Sequence, residues 1–501
     1  MIRAESDEEA ILYAREVDAA FGTKDQMKNR RFERHYLLLI LVLALAGRGA
    51  LLGVAWRSDS AAAALSSDSP TYLAPALSLA TEGAFKTNQH LEILRTPGYP
   101  AFLVACGLTG PLGYGITQIV QVLLDVLLIY LTFMLGARLV STSAGLWAAG
   151  FQACSLVAML SSVKVLSDGL FAFLITVAIL LLVRYFEEVK LPLLTTAAAV
   201  TAAATYVRPV GFIFVPIVGA VLLFRQRRMA RLAAFVLVFA ALVAPWFVRN
   251  YLAVGYAGFS SVSDYNLLFY EAAGVWAKSR GLSTQQARQE LDTMYRQRLD
   301  AEKIEPESPR AISVERDMGR AIILSHPRTF LEVHSATSLN SLLPAGTGLL
   351  EMLGVTSGNR GTLSVLHTAG LWAAAKYYFG SNVTAMLLIV PDLVFLVAQY
   401  FASLAYAVSQ LGSRALNWSP AGWLIVLTIM AFVLVGGPAA VPRFRLPVEP
   451  LLNVAAGGGV AMLLKRRKLI GQNPTDPGPN AWTHSRNAAV LPETLAVRLV
   501  K

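Results

Sequence analysis

Long apolar runs recur along most of this chain, and short basic loops join them. A bilayer leaves few folds open to such a sequence, because every backbone polar group inside lipid must be satisfied internally. The runs are continuous rather than alternating, so they predict membrane-spanning helices and not a β-barrel. Composition agrees: 55% of the 501 residues are hydrophobic and only 15% are charged, against about a quarter in soluble domains. Mean hydropathy is +0.53. The net charge of +11 does not read as nucleic-acid binding, since the Lys and Arg residues fall in short loops between spans, where they set topology. Cys106 and Cys154 sit in apolar sequence, read as buried thiols, and have no metal-ligand spacing.

The runs predict ten spans, at about 36–56, 115–138, 144–163, 168–186, 191–206, 209–224, 232–251, 386–411, 420–437 and 446–464. Residues 98–111 are apolar but too short to cross about 30 Å of hydrocarbon at 1.5 Å per residue, so they read as an interfacial or re-entrant helix. The divisions that follow are a cytoplasmic N-terminal tail (1–35), a transmembrane module (36–251) with a first outer loop at 57–114, and an extracytoplasmic loop region (252–385). The C-terminal spans (386–464) and a polar, disordered cytoplasmic tail (465–501) complete the chain. The stretch 362–379 is amphipathic and suited to the membrane surface. The N-terminal tail carries mixed charge and is not a cleavable signal. With the N-terminus inside, inner connections carry Arg138, Arg184 with Lys190, the cluster Arg225 to Arg231, Arg414, and Lys465 to Lys468. Every inner loop then satisfies the positive-inside rule, and the unusual polar residues gather on the outer side.

The first outer loop opens with Ser67-Asp68-Ser69-Pro70-Thr71-Tyr72 and continues to Arg95-Thr96-Pro97-Gly98-Tyr99-Pro100. Ser69, Pro70 and Gly83 predict a helix between them, as N-cap, first helical residue and C-terminal stop. Asp68 is then either a companion of that helix's dipole or a general base or metal-binding carboxylate. Asp168 opens a span at the edge of hydrocarbon, where a carboxylate is costly unless hydrated or paired. It is either an N-cap or a functional group, and Lys164 lies one turn earlier. Arg95, Arg208, Arg249, Arg443 and Arg445 each sit beside a proline or at a span end. Any one of them could snorkel to headgroups. Five against the positive-inside bias ask for an anion, and Arg forks match phosphate oxygens. Glu449 reads as structural, paired with a nearby arginine. His90 with Glu92 could be two ligands of a divalent cation, and the other histidines lack metal-site spacing. No P-loop, nucleophile elbow, zincin motif or Rossmann fingerprint occurs in a supporting context.

In order, these motifs resemble the GT-C class of polytopic glycosyltransferases, in the group of protein O-mannosyltransferases and lipid A aminoarabinose transferases. The matching residues are Asp68 with Tyr72, the stop at Gly83, and Arg95-Thr96-Pro97-Gly98-Tyr99. Gly136-Ala137-Arg138 to Leu146, Ser167-Asp168-Gly169-Leu170, and Arg208-Pro209 follow. Pro245-Trp246 to Tyr251 and Arg443-Phe444-Arg445-Leu446-Pro447 to Pro450 complete the set. The resemblance covers about residues 36–464. It implies an all-α GT-C-like bundle of about ten transmembrane helices, with juxtamembrane helices in the first outer loop. It implies a monosaccharide donor on polyprenyl phosphate and an extracytoplasmic acceptor: a glycolipid, a polysaccharide or a protein. Asp68 would be the base and Asp168 the second carboxylate. Arg95, Arg208, Arg249, Arg443 and Arg445 would hold the donor phosphate, with Tyr72, Tyr99 and Lys164 binding substrate. A single displacement would invert the anomeric carbon. Better-known members have Asp-Glu where this chain has Asp68-Ser69, and an acid directly before the basic residue where this chain has Leu94. No cofactor is therefore fixed, and a divalent metal stays open. A bacterial inner membrane is the expected location. The competing readings are a lipid-linked sugar flippase, which predicts mid-membrane charges such as Arg48 and Asp125, and an inactive scaffold.

Overall fold

The computed structural model describes residues 32–58, 61–225, 227–306, 308–355, 362–380, 382–411 and 419–471. The tail before residue 32, Arg414 and the tail beyond residue 471 lie outside the described residues. Among the described residues five helices are long and apolar enough to cross a membrane: α1 (Phe32–Arg57), α4 (Gly115–Leu139), α7 (Asp168–Glu188), α9 (Met229–Val254) and Val383–Gln410. The two short helices α2 (Ser69–Glu82) and α3 (Gly98–Ala105) lie between α1 and α4. Helix α2 ends where the sequence predicts, with Gly83 left-handed at φ 66°, but it begins one residue early: Asp68, not Ser69, holds the N-cap position. Helix α3 is shorter than the predicted 98–111, stopping at Ala105. Between them runs a small hairpin, β1 (Lys86–Thr87) and β2 (His90–Leu91). Its two-residue turn puts Asn88 and Gln89 at positive φ (49° and 67°), the geometry that matches strand twist.

Length and composition do not confirm the predicted ten spans. The run 144–163 is two helices, α5 (Thr142–Cys154) and α6 (Leu156–Val163), bent by 54° at Ser155. The runs at Leu191–Val207 (α8), Pro209–Phe224 and Pro420–Leu434 form shorter apolar helices of 10–17 residues. By length and composition the count is five spans, or up to six with the bent pair. Hydropathy sees the run and not the break, because Ser155 leaves the helix at ψ 108° without a proline to mark it.

The break is compensated by charge. Arg48 is fully buried and donates to Ala153 O (3.1 Å) and Gln152 O (3.4 Å), the carbonyls freed at the end of α5. Its Nε meets Asp125 on α4. On the other half, Glu449 accepts from Ser155 Oγ at 2.7 Å, just before the N-terminus of α6. A cation at a helix C-terminus and an anion at an N-terminus are the favourable placements. The last helix (Glu449–Gly471) packs against α5, α4 and Val383–Leu411. Gly457 and Gly459 permit this approach: a Cβ on either would stand 2.2 Å from Ala144 O or 2.1 Å from Ala402 O.

The polar region after α9 is folded rather than a loop. Helices α10 (Ala273–Arg280), α11 (Thr284–Glu302), α12 (Pro309–Ser325) and α13 (Pro327–Ser338) enclose an apolar core that includes Leu268, Leu291 and Ile322. Ser283 and Gln286 form a capping box on α11. Thr362–Phe379 is interrupted at Gly370 (φ 84°, ψ 175°), with Leu371 and Trp372 exposed. Cys154 is exposed rather than buried, and both cysteines are free thiols.

Candidate functional site

At one end of the bundle the starts of α2, α3 and α7 meet the 3-10 turn Pro442–Arg445. Ser69 fixes the start of α2: its hydroxyl donates to Val165 O (2.8 Å) and accepts from Ser66 N (2.8 Å). This ties the first loop to the segment between α6 and α7. Asp68 holds the N-cap position of α2, yet its side chain makes no capping bond. Its Oδ1 faces Arg95 Nη2 at 3.2 Å, and its Oδ2 takes Arg443 Nη2. Asp68 therefore stands at the helix N-terminus with two ion pairs. Burial opposes ionisation of Asp68, but Arg443 and Arg95 outweigh it and hold the carboxyl below its ordinary range.

Arg95 is positioned from three sides. Its Nε donates to Thr71 Oγ1 (2.9 Å) and its Nη1 to Tyr72 OH (3.2 Å), and the guanidinium lies 4.5 Å from the Tyr72 ring centroid. Tyr72 OH pairs with Ser167 Oγ at 2.9 Å. The Tyr72 and Tyr99 rings meet edge to face at 5.1 Å, and Tyr99 OH donates to Gln121 Oε1 at 2.6 Å. Asp168 opens α7 almost wholly buried, with Oδ1 on Arg208 and Oδ2 lacking a hydrogen-bond partner among the described residues. Arg208 and Arg443 both face the Phe444 ring, at 5.3 and 5.8 Å. Lys164 lies beside this group, half-buried and near Glu351 and Arg443. Burial pushes its pKa down, Glu351 opposes that, and Arg443 adds to it. Its ammonium has no hydrogen-bond or ion-pair partner among the described residues.

The structure therefore brings together Asp68, Asp168, Arg95, Arg208, Arg443, Tyr72, Tyr99 and Lys164. Two predicted phosphate ligands do not join them. Arg445 is fully buried, with Nε on Glu449 Oε2 (2.9 Å) and Nη1 on Leu343 O (2.6 Å). Its partner four residues on, Glu449, explains the difference. Arg249 donates to Glu92 O (2.8 Å) and Asn250 Oδ1 (3.0 Å) and stacks over Trp246. It holds the hairpin rather than the Asp68 group. The weak metal candidates are also engaged otherwise. Glu92 accepts from the backbone N–H groups of Leu94 (2.6 Å) and Arg95 (2.8 Å), and so shapes the loop that presents Arg95. His90 is exposed on β2. Among the described residues no group of three or more His, Cys, Asp or Glu could hold a metal. The carboxylates of Asp68 and Asp168 face arginines, a donor set that does not fit a cation.

Sequence reasoning missed Ser66, Gln121 and Phe444 as neighbours of the site. Gln121 had a signal: Gln118, Gln121 and Asp125 form a polar stripe at helical spacing inside an apolar run. Gln118 donates to Val163 O (2.6 Å) and Gln121 to Lys164 O (2.7 Å), so the stripe caps the end of α6 beneath the site.

No family model matches the sequence. No curated protein sequence matches it either. Solved structures do match. The apo oligosaccharyltransferase of Archaeoglobus fulgidus aligns at TM-score 0.51 and 13% identity, over 88% of this chain and 52% of that one. The same enzyme tethered to an acceptor peptide with an NVT sequon aligns at TM-score 0.50 and 14% identity, over 88% and 51%. ArnT from Cupriavidus metallidurans bound to undecaprenyl phosphate aligns at TM-score 0.37 and 16% identity, over 88% and 81%. This chain thus spans about half the length of the archaeal enzyme. At these identities the likeness is one of fold, and it agrees with the sequence resemblance: the chain is a polytopic helical membrane protein with the GT-C fold.

Proposed function

We propose that this chain is a membrane glycosyltransferase that moves a monosaccharide from a polyprenyl-phosphate donor to an extracytoplasmic acceptor. The observation that carries this reading is the convergence of Arg95, Arg208 and Arg443 on two carboxylates at one end of the bundle. A sugar phosphate needs cations to stabilise its leaving group and a base to take the acceptor's proton. In this reading Arg443 and Lys164 bear on the phosphate, and Asp68 takes the proton. Arg208 holds Asp168, and Tyr72 with Tyr99 forms the wall against which Arg95 is set. Attack by the acceptor oxygen on the side opposite the phosphate inverts the anomeric carbon. The loop charges favour both termini on the cytoplasmic side and the site outside, and a bacterial inner membrane is the expected setting.

A flippase gains no support from the mid-bundle charges. Arg48 with Asp125, and Arg445 with Glu449, neutralise one another and brace the break at Ser155. An inactive scaffold would have no reason to keep two carboxylates set against three arginines. The test is mass spectrometry of envelope glycolipids and glycans from wild type, a deletion, and the deletion carrying Asp68→Asn. Loss of one sugar-sized mass in the deletion, not restored by an Asp68→Asn protein present at normal level, is the expected result. Full restoration by Asp68→Asn would remove Asp68 from the mechanism.

A further inference from the structure

Arg443 is the counter-ion of Asp68, through its Nη2. It also lies within electrostatic reach of Lys164, whose ammonium feels Glu351 but makes no ion pair among the described residues. The cations Arg95, Arg208, Arg443 and Lys164 outnumber the carboxylates Asp68 and Asp168, and Asp168 is already held by Arg208. Arg443 cannot withdraw far from this place. The turn that carries it is anchored two residues on by Arg445, buried against Glu449 and the carbonyls of Ser341 and Leu343. An anion arriving between Lys164 and Arg443 therefore meets a guanidinium that already serves a carboxylate.

We propose that Asp68 and the substrate's lipid phosphate exchange for one guanidinium, that of Arg443. This rests on the transferase reading above. A phosphate held by Lys164 and Arg443 takes the cation from Oδ2 of Asp68, while Oδ1 stays with Arg95. Oδ2 is then open to the acceptor hydroxyl. As the acceptor oxygen bonds to the anomeric carbon, the bond from that carbon to the phosphate oxygen breaks. Its electron pair stays on the phosphate, and the acceptor's proton passes to Oδ2. The phosphate gains a negative charge in that step, so its hold on Arg443 grows as Asp68 is asked to act as a base. Stabilisation that rises toward the transition state is the kind that accelerates chemistry. Lys164 is the residue that makes the exchange favourable, since it adds a cation beside Arg443 without breaking an ion pair among the described residues.

The exchange makes an unusual prediction, that removing a charge from the site tightens its ligand. The probe is undecaprenyl phosphate, titrated against the purified full-length chain in detergent. Asp68→Asn, which removes the carboxylate bonded to Arg443, is expected to bind about tenfold more tightly than wild type. Lys164→Met is expected to bind about tenfold more weakly. Asp68→Ala replaces Asp68→Asn if that variant does not fold. Unchanged or weaker binding by both Asp68 variants overturns the exchange and leaves the transferase reading standing. Absence of binding to wild type and variants alike overturns both.

Discussion

Asp68 gives one oxygen to Arg95 and the other to Arg443, and the two arginines differ in what holds them. Arg95 is fixed by Thr71 and Tyr72, whereas Arg443 is held by the turn that carries it and by a long bond to Ser66 Oγ (3.5 Å). Arg443→Lys keeps the charge and loses the fork, so turnover is expected to fall about tenfold or more, with little change in melting temperature. Arg249→Lys, which touches the hairpin and not the Asp68 group, is expected to change turnover much less. Comparing product formation by the two variants checks the division of the arginines into those at the site and those beside it. That division was half legible in the sequence. An arginine beside a proline at a span end reads the same whether it meets Asp68, as Arg443 does, or a buried glutamate, as Arg445 does. Only the i, i+4 spacing of Arg445 and Glu449 separates them. Arg249 has local partners in Asn250 and Trp246, but the carbonyls that draw it to the hairpin lie 157 and 164 residues away and leave no local signal.

The broken span α5–α6 is the element on which the site rests. Asp125 on α4 and Glu449 at the start of the last helix converge on it by way of Arg48 and Ser155. A buried pair that loses one partner strands a charge, so Arg48→Met is expected to cost about 3–5 kcal/mol. Arg48→Met with Asp125→Leu should recover most of that, which thermal unfolding in detergent would show. A double variant as unstable as the single one would mean that Arg48 acts through the α5 carbonyls alone. Run length could not reveal this break. Residues 144–163 are mostly apolar, and the break at Ser155 is braced by Glu449, 294 residues away. By contrast the C-terminal end of α2 was readable, because Gly83 acts within the chain's own neighbourhood, whereas the Ser69 hydroxyl reaches Val165 O, 96 residues away, instead of capping the helix.

At the scale of the molecule, a bundle with the GT-C fold carries a second folded body after α9, and its interior holds a group that titrates near neutrality. Burial and the neighbouring Asp264 push Glu315 up to about 7, with Tyr295 opposing by a hydrogen bond. An unfolded glutamate titrates near 4.3, so between that value and about 7 the folded chain binds a proton that the unfolded chain has lost. Stability is therefore full below that window and declines as pH rises through it. Glu315→Gln should leave melting unchanged near pH 4 and gain about 1 kcal/mol over wild type near pH 8, allowing for partial solvent exposure. An equal shift at both pH values would place the effect in packing rather than charge.

The central claim is that Asp68, set between Arg95 and Arg443, is where a sugar leaves polyprenyl phosphate. The most direct measurement adds purified protein in liposomes to lipid and glycan extracts from a deletion strain and quantifies free polyprenyl phosphate by mass spectrometry. Such a readout needs no knowledge of the sugar. The account predicts release by wild type and a fall of at least about a hundredfold in Asp68→Asn, the range of a lost general base. Equal release by the two proteins, or none by wild type, would contradict it.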